Sequence, residues 1–287
     1  MADTPADERS RRPIAFTLRL TRLVLLRSTL FVLPGLSALN LAGAALADDP
    51  LPSWNDCRTK QALHDFVTRV TDANSPDFVP VAERILVTDN DGCLWPENPV
   101  PFQLAFVLDE LKRLAPQHPE WKENQTIQAA LADDLHTIIE GGIPALGQLL
   151  AVTHSGMTDI EFEARVNNWL QTASHPRFHR PYHHLGYLPM REALDYLRAN
   201  GFKTYIVSGG GADFMRVWTE DAYGIPPEQV IGSYASARYE LRDDGPVLIK
   251  EPKIELVDDK AGKPVGIHRF IGRRPIVCFG NSDGDQA

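Results

Sequence analysis

The sequence predicts an α/β fold built on a parallel sheet with helices on both faces. Three apolar runs, at residues 85–87, 205–207 and 275–279, each end in polar residues and glycine. Uninterrupted apolar runs are typical of strands that are covered on both faces, as in parallel sheets. A further Asp-Asp-Gly turn at residues 243–245 predicts a hairpin. Ligands of such sheets bind at the carboxyl ends of the strands, so functional residues are expected there.

Two carboxylates follow the first strand. Asp89 and Asp91 stand two residues apart, directly after the run 85–87, and Gly92 follows them. Two acids at this spacing can divide a reaction, with one attacking as nucleophile while the other transfers the proton. They also attract a hard divalent cation. A plain polar turn is the alternative, since Asp, Asn and Gly favour turns. A calcium loop fits poorly, because its glycine would have to come two positions later.

The second and third strands end in residues suited to anion and metal binding. The run 205–207 leads into Ser208, three glycines and a predicted helix over 212–223. Such a strand, turn and helix present backbone N–H groups and the Ser208 hydroxyl to an anion. Lys263 lies in a Gly-Lys-Pro segment ahead of the third strand, which ends in the acidic turn 280–285.

In this order, the four segments resemble the motifs of the haloacid dehalogenase-like superfamily, most closely its phosphoserine-phosphatase-like branch. The resemblance covers residues 80–287, and its short motifs are specific in combination. It implies a Rossmann-like core with a helical cap inserted between the first and second motifs. It also implies that Asp89 is the nucleophile that becomes an aspartyl-phosphate, and that Asp91 is the general acid and base.

The resemblance also implies a phosphate-binding set. Ser208 matches the serine of the second motif, and the Gly209 backbone N–H would bind beside it. Lys263 matches the lysine of the third motif, for which Lys260 is the alternative.

The implied cofactor is Mg²⁺, held by Asp89, the Asp91 backbone carbonyl and the fourth motif. Asn281 stands where this motif commonly has its first aspartate, and Asp285 matches its second acid, one water removed from the metal. An amide oxygen can bind a metal but brings no charge. Asp283 is the alternative source of the missing charge. The sequence stops two residues after Asp285, where related folds continue, so we expect the C-terminal part of the fold to be truncated.

Residues 100–187 are predicted to be a helical cap insertion between two parts of the catalytic core, residues 48–99 and 188–287. Apolar residues recur at helical spacing there, and Thr158 and Glu161 form a capping-box pattern. A cap over the site would exclude water and restrict the substrates that fit. A second all-helical domain with its own role is the alternative.

Histidines and arginines crowd the end of this insertion. Zinc, an anionic substrate and a solvated loop are the three interpretations, and interrupting prolines disfavour zinc. The residues are His175, Arg177, His179, Arg180, His183 and His184.

Residues 1–47 predict an export signal. Six arginines precede or interrupt an apolar stretch that ends in Ala45-Leu46-Ala47. A Ser-Arg-Arg segment points to twin-arginine export. An uncleaved anchor is the alternative, but Arg27 and Pro34 shorten the apolar run below a comfortable span. Cleavage after Ala47 predicts a periplasmic or secreted protein without stable membrane association.

Charge and motifs together predict the function. Removing residues 1–47 would shift the formal charge from −9 to −12, which disfavours a nucleic-acid partner. We expect an exported magnesium-dependent phosphomonoesterase that acts on a small phosphorylated metabolite, and the oligomeric state stays open. Asn281 and the end of the chain motivate one alternative, a catalytically impaired protein that binds phosphate ligands. Carbon–halogen hydrolysis is another, against which Asp91 argues, because that reaction has no alkoxide to protonate.

Overall fold

A five-stranded sheet lies at the centre of the protein in a computed structural model that describes residues 49–287. The predicted signal at residues 1–47 falls outside these residues. The strands are β1 (Ile85–Thr88), β2 (Lys203–Gly211), β3 (Val230–Arg242), β4 (Gly245–Leu256) and β5 (Val277–Phe279). The helices are α1 (Arg58–Thr71), α2 (Phe102–Leu114), α3 (Gln125–Leu131), α4 (Leu135–Glu140), α5 (Gly142–His154), α6 (Asp159–Thr172), α7 (Leu188–Ala199), α8 (Ala212–Arg216), α9 (Thr219–Tyr223) and α10 (Gly262–Phe270).

The sheet order is β4-β3-β2-β1-β5, which confirms the predicted α/β class. β3, β2, β1 and β5 run parallel, and β4 pairs antiparallel with β3. The Asp-Asp-Gly turn closes this hairpin as predicted, with Gly245 at φ +129°. β4 continues from the hairpin turn to Leu256.

Residues on β1 and β2 alternate between two unlike faces of the sheet. On one face, Leu86 and Ile206 join a large buried cluster rich in aromatic rings, which we call the aromatic face. On the opposite face, Val87 and Val207 join a small aliphatic cluster against which Ile267 of α10 packs, and we call this the α10 face. The period of two along a strand makes this division.

Helices α2 to α6 lie between β1 and β2 in the chain, where the insertion was predicted. The predicted capping box opens α6: the Glu161 backbone N–H donates to Thr158 Oγ1, and the Glu161 carboxylate accepts from the Thr158 backbone N–H. A cap of this kind typically stabilises a helix by about 1 kcal/mol. No helix within residues 49–287 is both long and apolar enough to cross a membrane.

The single helix predicted over residues 212–223 is wrong, because the segment forms two short helices, α8 and α9. Trp218, between them, has φ −137° and ψ −11°, which is not helical. Its ring is 4% exposed and stacks on Trp95, with 4.0 Å between the ring centroids. Burial of this large ring outweighs the local helical preference, a contact that the helical period cannot reveal.

Candidate active site

The carboxyl ends of β1, β2 and β5 meet at one edge of the sheet. Thr88 of β1 lies opposite Ile206 of β2 and Phe279 of β5. The Asp89 backbone N–H donates to the Phe279 carbonyl at 2.9 Å. This register brings Asp89, the Ser208 end of β2 and the acidic turn after β5 to one edge.

Lys263 links two of these segments by charge. It lies in the first turn of α10, is 7% exposed, and donates to the Val207 carbonyl at 2.7 Å. Its Nζ is 3.0 Å from Asp89 Oδ1 and 2.9 Å from Asp285 Oδ1. Burial by itself would lower the pKa of Lys263, but the two carboxylates outweigh burial and raise it. Lys260 is instead exposed, at φ +49°. A fixed positive charge therefore lies between Asp89 and Asp285.

Asp91 has a different environment. Trp95 Nε1 donates to its Oδ1 at 2.7 Å. Burial raises the pKa of the Asp91 carboxyl to about 6, Asp89 and Glu97 add to this rise, and the bond from Trp95 opposes it. A carboxyl group with this pKa holds and releases a proton readily near neutral pH, which suits a general acid and base.

The C-terminal end of β2, which continues through the predicted glycine turn to Gly211, approaches Asp91. Ser208 is 1% exposed, and its Oγ accepts the Gly210 backbone N–H at 3.1 Å. Gly209 is exposed beside it. A Cβ on Gly210 would lie 3.5 Å from Asp91 Oδ2, so the second motif approaches the first through backbone atoms.

The acidic turn after β5 is organised by Asp285. The backbone N–H groups of Asn281 and Ser282 donate to Asp285 Oδ2 at 2.9 and 3.0 Å. Burial would raise the pKa of Asp285, but the Lys263 ammonium and these N–H groups lower it. Asp283 is exposed and accepts a hydrogen bond from the Gln286 side chain at 3.2 Å.

Asn281 contacts the loop of the first motif. Gly92 has φ +78°, and a Cβ there would lie 2.2 Å from Asn281 Nδ2. The same nitrogen is 3.4 Å from Glu97 Oε1. Only glycine permits both the backbone conformation and this close approach.

A cavity of about 420 Å³ opens where these groups meet. Asp89, Lys263, Asn281 and Asp285 all line it. Its size is that of a site for a small molecule.

A match to a family model identifies the family of this chain. A family model of haloacid dehalogenase-like hydrolases matches residues 86–287, most of the sequence. The chain belongs to this family. No curated protein matches it. The predicted superfamily is therefore confirmed, and with it the coarse activity of a hydrolase.

One solved structure supports the fold, and others match more weakly. A conserved protein of unknown function from Anaerococcus prevotii is 14% identical with a TM-score of 0.51, and the match covers 79% of this chain and 81% of that one. A phosphoserine phosphohydrolase-like protein from Francisella tularensis is 15% identical over 70% and 80% of the chains, with a TM-score of 0.39. A HAD family hydrolase from Salmonella enterica is 17% identical over 72% and 60%, with a TM-score of 0.36.

The donors at the sheet edge fit the magnesium that this family implies. Within residues 49–287, no group of three or more His, Cys, Asp or Glu side chains is placed to hold a metal. Asp89, the Asp91 backbone and the Asn281 amide supply oxygen atoms instead, the donor type that Mg²⁺ prefers. The Asn281 side chain lies against Gly92 of the first motif loop, and Asn281 and Asp89 line the same cavity.

Two residues at the site escaped the sequence analysis. Trp95, which holds Asp91, lies four residues after it, and only its aromatic character in a polar turn marks it. Gln103, in the first turn of α2, accepts the Gly211 backbone N–H at 2.6 Å through its Oε1. A Cβ on Gly211 would collide with that side chain. Nothing in the local pattern connects residues 103 and 211, because only folding brings the insertion onto β2.

Proposed function

We propose that this hydrolase is a magnesium-dependent phosphomonoesterase that works through an aspartyl-phosphate at Asp89. The observation that carries the proposal is the buried Lys263 ammonium, 3.0 Å from Asp89 Oδ1 at the edge where Ser208 and the acidic turn meet. The positive charge of Lys263 would reduce the repulsion between the Asp89 carboxylate and the phosphate anion that it attacks.

Asp89 and Asp91 have different roles in the proposed reaction. Asp89 attacks phosphorus, and its new bond forms as the bond from phosphorus to the leaving oxygen breaks. Asp91 gives its proton to that oxygen. Water then attacks the aspartyl-phosphate, Asp91 takes the proton from the water, and Asp89 is regenerated as inorganic phosphate leaves. Lys263, Ser208 and the Gly209 N–H bind the phosphoryl oxygens throughout.

Magnesium would be held by Asp89, the Asp91 carbonyl and Asn281, with Asp285 behind them. Bound there, it supplies positive charge to the phosphoryl oxygens. Asn281 brings no charge, so Asn281→Asp should tighten magnesium binding, since affinity rises with ligand charge. Calorimetric titration of both proteins measures this, with exposed Asp283→Asn as the matched control. Equal affinities in the native and Asn281→Asp proteins would contradict Asn281 as a ligand.

A small phosphorylated metabolite is the proposed substrate class. The cavity at Asp89 has the volume of a small-molecule site. Helices of the insertion border this site through Gln103, which supports a cap that limits substrate size.

A chromogenic phosphate ester, assayed with and without magnesium, tests the activity. Hydrolysis should require magnesium, and Asp89→Asn should abolish it, because an amide does not attack phosphorus. Beryllium fluoride should occupy Asp89. If the native protein binds phosphate but never turns over, it is a phosphate-binding protein, the other candidate that Asn281 raised.

We also propose export, on the pattern of residues 1–47. Mass spectrometry of periplasmic protein should find Asp48 as the first residue. Intact Met1–Ala47 in a membrane fraction would instead support an anchored enzyme.

A further inference from the structure

A second cavity lies between α6, α7 and the α8–α9 segment. Its volume is about 470 Å³, within the range of small-molecule sites. It shares no lining residue with the cavity at Asp89. The mechanism above uses none of its side chains.

Positive charge dominates this second cavity. Arg180 and Arg191 line it, and Asp221 is the one acidic residue among its described walls. Neither arginine forms an ion pair with any residue of 49–287. Arg180 donates one hydrogen bond, to the His184 carbonyl at 3.1 Å. Most of the guanidinium N–H groups therefore stay available, and guanidinium groups bind carboxylate and phosphate oxygens in pairs.

Neutral donors complete the lining. Asn167 and Gln171 stand four residues apart on α6, so their side chains share one face of that helix, and both line the cavity. His183 also lines it, with an Nδ1 atom that is buried and has no hydrogen-bond partner. An imidazole in the cavity wall can donate a hydrogen bond to an anion.

An aromatic wall stands between this cavity and the catalytic acid. Trp218 lines the cavity and stacks on Trp95, whose Nε1 donates to Asp91. Tyr223, which is 3% exposed, packs edge-on against Trp218. The wall makes the second cavity a separate compartment from the reacting phosphoryl group.

We propose that the second cavity binds a small oxyanion, a carboxylate or a phosphate, at a site separate from the reaction centre. Arg180 and Arg191 bind the oxyanion by charge, Asn167, Gln171 and His183 add hydrogen bonds, and Asp221 limits the affinity. This site does not rest on the phosphomonoesterase proposal, since none of its residues takes part in that chemistry.

The test is binding of malonate and of inorganic phosphate to the full chain carrying Lys263→Ala, which disables the catalytic anion site. Calorimetry should find one site for at least one probe. Malonate binding alone identifies a carboxylate site, and phosphate binding alone a phosphate site. Adding Arg180→Gln and Arg191→Gln should weaken binding about tenfold or more, as expected for two lost charge-assisted contacts.

Asp221→Asn provides a test of opposite sign. Removing the one acidic group should tighten binding several-fold, whereas a merely structural cavity would show no gain. Arg58→Gln, an exposed arginine in α1, is the matched control and should leave binding unchanged. Circular dichroism checks that each variant is folded. The proposal is overturned if folded protein binds neither probe, if the arginine pair has no effect, or if Asp221→Asn weakens binding.

Discussion

The aromatic face and the α10 face of the sheet are covered to very different depths. Behind Leu86 and Ile206, rings from the insertion and from α8 and α9 pack in a continuous buried cluster. On the opposite face, the buried cluster is made of Ile85, Val87, Val207 and Ile231, with Tyr205 and two isoleucines of or beside α10 packed against it. The same strands are thus covered by a thick layer of packed side chains on the aromatic face and by a thin layer on the α10 face.

The two carboxylates that we propose for catalysis, Asp91 and Asp89, lie in similarly unequal surroundings. Asp91 is held by Trp95 of the aromatic cluster, and burial raises the pKa of its carboxyl. Asp89 faces Lys263 of α10, in a cavity that opens to solvent. A proton donor benefits from dry surroundings that favour its neutral form, while a nucleophile that meets an anion benefits from fixed positive charge. Unequal cover of the sheet therefore supplies both conditions within three residues.

Two effects of comparable size are expected to be the largest, and the first concerns the positive charge of Lys263 in α10. Lys263→Ala should lower kcat by about 10²–10³-fold, the usual loss when one transition-state donor is removed. Steady-state assay of a phosphate ester measures it. Lys260→Ala is the matched control, because that lysine is exposed nearby, and it should keep near-native turnover. The reverse result would assign the third motif to Lys260.

The second concerns proton donation by Asp91, which Trp95 of the aromatic face holds. Asp91→Asn should slow alkyl phosphates by about 10²–10⁴-fold, since general acid catalysis is worth that much. Nitrophenyl phosphate should lose far less, because its leaving group needs no proton. The ratio of the two rates is the measurement, with Asp283→Asn as control. Equal losses on both esters would remove Asp91 from the donor role.

A matched pair of isoleucines tests the depth of the two faces directly. Ile206 on the aromatic face and Ile231 on the α10 face are 0% and 3% exposed, and both lie in parallel strands. Ile206→Ala should cost about 3–5 kcal/mol of unfolding free energy and Ile231→Ala about 2–3, because a deeply packed cavity relaxes less. Urea denaturation compares them. Similar costs would mean that the thin cover packs as tightly as the deep one.

The smallest effect concerns a histidine within the aromatic cluster. His154 packs against Phe106 and Phe162, and burial lowers its pKa to about 3, so the folded protein keeps it neutral. The unfolded chain takes up a proton below about pH 6.5, which the folded state does not. The unfolding free energy should therefore fall as the pH drops from 6.5 towards 3, at up to about 1.4 kcal/mol per pH unit from this group.

His154→Gln should flatten that dependence while leaving stability at pH 8 less affected. Urea denaturation at several pH values measures the slope. Asp134→Asn offers the reverse control, because hydrogen bonds from Thr137 lower the pKa of this exposed carboxyl and its contribution disappears only at acid pH. An unchanged slope in His154→Gln would show that His154 is protonated in the folded protein.

Much of the site could be predicted from short stretches of the sequence. The strand ends before Asp89 and Gly280, the capping box of α6 and the hairpin turn are all short-range patterns, since period, caps and turn residues act within a few positions. Parallel strands then bring their carboxyl ends together by geometry alone. For this reason the family, the α/β fold and the strand-end placement of the motif residues followed from the chain itself.

Tertiary structure decided the rest. The helix predicted over residues 212–223 is interrupted at Trp218, whose ring stacks on Trp95. Gln103 accepts a hydrogen bond from Gly211, which lies 108 positions further along the chain. Of two nearby lysines, Lys263 is the one that folding buries beside Asp89, and the spacing of the sequence could not distinguish it from Lys260. The cationic cavity, too, combines three helices that no local pattern relates. Such contacts depend on how whole elements pack, and packing energy is shared among many side chains rather than written in any one segment.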